Sequence, residues 1–197
     1  MNLLFWSGGK DSYLCCEMLR RESDRPIQLL TTYEEERDIV PHHNISLETI
    51  QEQARQLDLE LTICGLPPEC PNEVYIDRLK DTFSKITEPI DHLVFGDWKN
   101  REIREWREKI FEQQLGYSCL FPIWEKSLHD LMPILLLKPV KVKISAVQEA
   151  YRDMLSVGEP WNQRLVAQLP ESIDPMGENG EFHTVVEFQS LTSFGDG

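Results

Sequence analysis

An open, mostly parallel five-stranded α/β sheet with helices on both faces is the fold this sequence predicts, and three observations carry it. Short apolar runs alternate with amphipathic helical stretches from residue 2 to about residue 119. One of these runs, His92-Leu93-Val94-Phe95, is apolar almost throughout, as a central strand covered on both faces requires. A Gly8-Gly9 turn joins the first strand directly to the first helix. Beyond residue 119 the alternation stops, so residues 1–119 are expected to form the α/β unit and residues 120–197 a small α+β lobe across its carboxyl edge.

The elements follow in order. Leu3-Leu4-Phe5-Trp6 reads as the first strand, and Leu14, Cys15, Met18 and Leu19 give a helix from Tyr13 to Arg21 with two arginines in its last turn. Ile27 to Tyr33 is the second strand, and its carboxyl end places Thr31 and Tyr33 where a nucleotide's base or ribose would rest. The aperiodic stretch from Glu34 to Asn44, with Pro41 and His42-His43, is expected to be a loop with solvent-exposed histidines. Ser46, followed by Glu48 and Thr49, opens a helix to about Leu57; Leu59 to Cys64 is the third strand, and Glu73 to Ile86 the next helix. His92 to Phe95 ends at Gly96-Asp97, so Asp97 either faces the crevice or caps a helix that starts near Trp98 and ends at Leu115-Gly116. On that helix Arg101 and Arg104 share a face and can reach phosphate or pair with neighbouring glutamates. Ser118 to Trp124 supplies the fifth strand. Thereafter the sequence predicts a helix from Leu128 to Leu137, a strand from Val140 to Ser145, helices at 147–155 and 161–169, and a hairpin-like piece from Phe182 to Phe188.

Ser7-Gly8-Gly9-Lys10-Asp11-Ser12 carries the first chemistry. Paired glycines let the backbone approach an anion, helix-start N–H groups and serine hydroxyls donate to phosphate oxygens, and Lys10 adds a charge. The spacing departs from the Walker pattern, which argues against ordinary γ-phosphate hydrolysis. The hexapeptide resembles the PP-loop of the ATP pyrophosphatase superfamily, whose members cut ATP between the α and β phosphates. A second stretch, Asp174 to Thr184, crowds Glu178, Glu181, His183 and Thr184 around Gly177 and Gly180. Strand alternation there sends Glu181 and His183 to one face, although a charged hairpin tip has the same composition.

Bulk properties narrow the partners. Twenty basic against 34 acidic residues leave a net charge of −14, which disfavours nucleic acid. No bilayer-length apolar run and no basic leader is present, so a cytoplasmic address is expected, with no membrane partner. Five cysteines without a C-x-x-C pair indicate neither a disulfide framework nor a zinc site.

Together, Ser7 to Ser12, Gln53-Ala54, Phe95-Gly96-Asp97, Arg101, Arg104 and Trp106, Pro122-Ile123-Trp124 and Gly177 to Thr184 resemble the diphthine–ammonia ligase family. The resemblance implies an adenine nucleotide alpha hydrolase (HUP-type) fold and an ATP-dependent amide ligase. Such an enzyme adenylates a carboxylate, releases pyrophosphate and lets ammonia displace AMP. It further implies ATP and Mg²⁺ as cofactors, with Ser7 to Ser12, Thr31, Tyr33 and Gly96 on the nucleotide and Asp11 on the metal, Asp97 being the next candidate. Lys10, Asp97, Glu178, Glu181 and His183 are the expected catalytic groups, and Arg101, Arg104, Glu178, Glu181 and Thr184 the expected acceptor contacts. The acceptor is elongation factor two if the source is archaeal or eukaryotic and a different small molecule if it is bacterial; a homodimer and a non-catalytic ATP- or AMP-binding protein are the other expectations. Met176 stands where the family often has cysteine, which removes any role for that thiol.

Overall fold

The computed structural model describes residues 1–136 and 138–189. Strands β1 (Asn2–Phe5), β2 (Ile27–Glu34), β5 (Leu61–Leu66), β6 (His92–Val94) and β7 (Ser118–Leu120) form a parallel sheet in the spatial order β5-β2-β1-β6-β7. The expected five parallel strands are thus present. Two further strands, β3 (Ile39–Val40) and β4 (Ile45–Ser46), enlarge the sheet to seven, where the sequence suggested only a loop. Each is two residues long, and left-handed Asp38, His42 and Asn44 make their turns, so no alternating pattern marks them.

Their position follows from register. β1 pairs with β2 only through Leu30, and β3 pairs with Glu34 on the same side of β2 because β5 occupies the other. The β3–β4 hairpin therefore fills the lane that β1 leaves when it turns into Ser7-Gly8-Gly9. Alternation within the strands sends Leu4, Leu29 and Val94 to one face and Leu3, Leu30 and Leu93 to the other. α1 (Lys10–Glu22) and α2 (Leu47–Leu57) cover the first face. α3 (Asn72–Ser84) and α4 (Arg101–Arg107), which continues as a wide turn over Glu108–Gln114, cover the second. Ser46 caps α2 through Thr49 N–H, and left-handed Gly116 (φ 77°) ends the segment after α4. Asn100, not Asp97, caps α4 by accepting from Ile103 N–H.

After β7, α5 (Leu128–Leu136), β8 (Val140–Val147), α6 (Gln163–Gln168) and β9 (Phe182–Phe188) complete the chain. Leu137, expected at the end of α5, lies outside the described residues. The helix expected at 147–155 reduces to a single tight turn at Glu149–Tyr151, because Val147 still belongs to β8. β9 is not half of a local hairpin: it pairs antiparallel with β8, with an irregularity between Ile144 and Ala146. Leu131, Ile134, Val142, Trp161, Phe182 and Val186 join Leu4, Leu14 and Ile50 in one continuous core. Burial of each such leucine or phenylalanine contributes about 1.5–3 kcal/mol, so residues beyond 119 share the cohesion of the sheet.

Gln53 on α2 joins these parts. It is 2% exposed, accepts from Trp6 Nε1–H at 2.8 Å, and donates to the carbonyls of Gly8 at 3.0 Å and Val186 at 2.8 Å. Val186 N–H also donates to Gly8 O at 2.9 Å, so the turn after β1 is tied to β9. Replacing Gln53 strands buried polar groups, each costing about 1–3 kcal/mol. Gln53→Leu is expected to lower unfolding free energy by roughly 2–4 kcal/mol in a urea titration; a change near zero would contradict this tie.

Candidate functional site

The site begins where β1 ends. Gly8 adopts φ 80°, and a side chain there would strike Gln53 and Ile50. Gly9 precedes α1, and a Cβ on it would lie 2.8 Å from Thr184 O and 3.1 Å from His43 Cε1. The loop is closed by its own serines: Ser7 Oγ accepts from Gly9 N–H at 3.4 Å and Ser12 Oγ donates to Gly9 O at 3.0 Å. Gly96, at the end of β6, crosses the start of α1 so closely that a Cβ would meet Asp11 and Ser12 backbone atoms at 3.0 and 3.1 Å.

Lys10, the charge the sequence places beside the loop, is buried. Its ammonium donates to Asp11 Oδ2 at 2.9 Å and to Met176 O at 2.6 Å, and faces the rings of Trp161 and Phe182 at 5.6 and 5.7 Å. Its backbone N–H donates to Thr184 Oγ1 at 3.1 Å, so Thr184 caps α1 from the far end of the chain. Met176 acts through its carbonyl, which a cysteine at that position would also offer. Asp11 has one oxygen on Lys10, while the other, Oδ1, is enclosed without a hydrogen-bond partner. Burial raises its pKa against the lowering pull of Lys10, and Asp97 raises it further.

The remaining carboxylates differ in role. Asp97 is gripped by Arg107, whose Nε and Nη2 donate to it at 2.6 and 3.3 Å while the guanidinium covers Phe95 at 4.3 Å. Both of its oxygens accept from that one guanidinium, whose charge offsets its own. Glu178 accepts from Lys99 and Asn100 N–H at 3.0 and 3.2 Å at the start of α4; burial raises its pKa, and Asp11 adds to this. Glu181 does not face the cleft with His183. Burial pushes its carboxyl up, but hydrogen bonds from the Asn179 side chain and from Asp174 and Asn179 N–H hold its pKa below the ordinary value, and those bonds make it the organiser of the 174–181 turn.

Several expected contacts are placed elsewhere. Thr31 is fully buried and donates to Trp6 O at 2.7 Å, so it seals the sheet and does not reach a nucleotide; Tyr33 is half-buried further along β2. Arg101 is exposed, whereas Arg104 bonds Glu108 at 2.8 Å and lies over Phe121 and Trp124 at 4.8 and 4.6 Å, the glutamate pairing that the sequence offered beside a phosphate contact. His42 is exposed as expected, but His43 packs on His183 with ring centres 4.6 Å apart, and His42 lies 6.2 Å from His183. His43 Nδ1–H donates to Thr184 O at 3.4 Å. Burial lowers the pKa of His43 to about 3, helped by His183, and that of His183 to about 4, helped by His42 and Lys10. Arg107 and His43 are the residues sequence reasoning missed; the only signals were Arg107's place one turn beyond Arg104 and the adjacent histidine pair.

A phosphate-scale loop between the first strand and first helix of a β5-β2-β1-β6-β7 parallel sheet defines the PP-loop ATP pyrophosphatase class of ATP-using enzymes. Residues 2–117 match the diphthamide synthase N-terminal domain, and the chain belongs to that family. No curated protein matches the chain. No helix among the described residues is long and apolar enough to cross a membrane.

The histidine shifts have a definite sign. Both folded-state pKa values lie below the ordinary 6.5, so the unfolded chain binds more protons and stability is lost as pH falls from about 6.5 toward 4. Thermal melts of wild type and His43→Phe between pH 7 and pH 4 are expected to show a smaller acid-induced fall in the variant. Parallel curves would contradict neutral burial of His43.

Proposed function

We propose that this protein is an ATP-dependent amide ligase that activates a carboxylate as its adenylate and passes the acyl group to ammonia. The observation that carries the reading is Asp11 Oδ1, an enclosed carboxylate oxygen without a partner beside the phosphate loop. A hard anionic oxygen held ready there suits Mg²⁺, which takes one or two carboxylates and completes its shell with phosphate oxygens and water. When bound, Mg²⁺ neutralises polyphosphate charge.

The chain's own groups then divide the work. The backbone N–H groups of Gly8 and Gly9 and the serine hydroxyls hold the β and γ phosphates, the Ser7 and Ser12 contacts within the loop giving way to phosphate. Lys10 offsets charge on the leaving pyrophosphate while anchoring Met176. A substrate carboxylate oxygen attacks the α phosphorus, the bond from that phosphorus to the bridging oxygen breaks, and pyrophosphate departs with the electron pair. Ammonia nitrogen next attacks the acyl carbon and AMP leaves. Glu178, near Asp11 and with a raised pKa, takes the proton that the nitrogen sheds. An acceptor of the diphthine type, a carboxylate beside a fixed positive charge, suits a cleft edged by Asp11, Asp97 and Glu178.

The test is product analysis with ATP, Mg²⁺, ammonium and candidate carboxylic acids. AMP and pyrophosphate in equal amounts are expected, with turnover lowered at least about 100-fold in Asp11→Asn. ADP and inorganic phosphate as products would refute the reading.

A further inference from the structure

We infer that the cavity between the start of α5, the end of α6 and the 174–181 turn is a binding site for a small primary alkylammonium ion. None of the residues that line it belongs to the phosphate loop, and the inference does not depend on the amide-ligase reading. Size and wall supply the first argument. The cavity measures about 460 Å³, within the roughly 300–1,000 Å³ of sites that take small organic molecules. Leu128 opens α5, Val166 comes from α6, and Leu169 and Ile173 follow that helix. A bare ion would leave this apolar wall unfilled, whereas an alkyl body removes it from water.

Preorganised acceptors supply the second. Glu181, 1% exposed, accepts from Asp174 N–H at 2.9 Å, from Asn179 N–H at 3.0 Å and from Asn179 Nδ2–H at 3.0 Å. One buried carboxylate therefore fixes Asp174 and Asn179, both of which line the cavity, so a ligand does not have to order them. A carboxylate only accepts, so the Asn179 amide turns its nitrogen to Glu181 and keeps Oδ1 for a ligand. Asp174 Oδ1 is spent on the N–H groups of Met176 and Glu178 at 2.8 and 3.4 Å, which leaves Oδ2. Among the described residues no hydrogen bond reaches Asp174 Oδ2 or Asn179 Oδ1, and neither atom is enclosed by protein. Both open atoms are acceptors, and a ligand that meets them must donate.

Charge supplies the third. Glu171 adds an exposed carboxylate to the same lining, and among the described residues no lysine or arginine lines the cavity. The lining is therefore negative, and its complement is a cation. A primary ammonium carries three N–H bonds, one each for Asp174, Asn179 and Glu171. A quaternary ammonium carries the same charge but has no hydrogen to donate, so it leaves those oxygens unmet.

Backbone-amide NMR titrations at pH 7 with hexylammonium, N,N,N-trimethylhexylammonium and hexanoate test this, because the three probes share one alkyl body and differ in the head group. Hexylammonium is expected to shift the amides of residues 171–174 and 179 and to bind at least about tenfold more tightly than the trimethyl probe, the worth of one charge-assisted hydrogen bond. Hexanoate is expected to give no saturable shift at those amides. Asp174→Asn keeps an oxygen for the turn and removes the charge, and is expected to weaken hexylammonium binding at least about fivefold; Glu171→Gln, at an exposed position, is expected to weaken it about threefold. Equal affinity for the three probes would show an apolar groove without head-group recognition and would overturn the proposal. Amides at 171–174 and 179 that stay in place with hexylammonium would overturn it too, as would unchanged affinity in either variant that folds. These are binding measurements without nucleotide, so they stand whether or not amide formation is found.

Discussion

The buried ammonium of Lys10 is the interaction on which the rest of the site depends. A charge 2% exposed is costly unless every donor is met, and here the Asp11 carboxylate, the Met176 carbonyl and two aromatic faces meet it. One partner is the next residue and another lies in the C-terminal segment. Residues 174–184 thus help to hold the phosphate loop in its conformation, and the Thr184 cap on the Lys10 N–H adds a second tie through the backbone.

This coupling explains why the core is continuous. β9 must lie beside α1 and α2 for Val186 to bond Gly8, and the apolar residues of α5, β8 and β9 fill the space this creates. It also explains the tolerance of Met176: the ligand to Lys10 is a main-chain oxygen, so side-chain identity enters only through packing. Glu178 carries the coupling further, because its carboxylate holds the first N–H groups before α4 and so joins the C-terminal turn to the loop that follows Asp97.

What was legible in the sequence was local. The glycine loop, the Ser46 cap and the parallel strand sequence are written in neighbouring residues, and the structure has them. Features set by distant pairing were not legible. Thr31 occupies the expected strand end, but its hydroxyl is claimed by Trp6. Asp97 leaves the cap of α4 to Asn100, and its own partner Arg107 comes from the far end of that helix. The β3–β4 hairpin escaped because strands of two residues carry no period, and with it went His43, whose neighbour His183 is 140 residues away in the sequence. Glu181 was misplaced for the opposite reason: alternation was extended into a turn where φ of Gly180 is 83° and strand geometry has not begun.

The central claim is that the N-terminal loop and the C-terminal turn are two walls of one nucleotide cleft. Backbone hydrogen exchange with and without ATP and Mg²⁺ tests it most directly, because slowed exchange reports which amides the ligand orders. The account predicts protection at residues 7–12 and, to a comparable degree, at residues 176–184. Protection confined to residues 7–12, with the C-terminal turn unchanged, would contradict it.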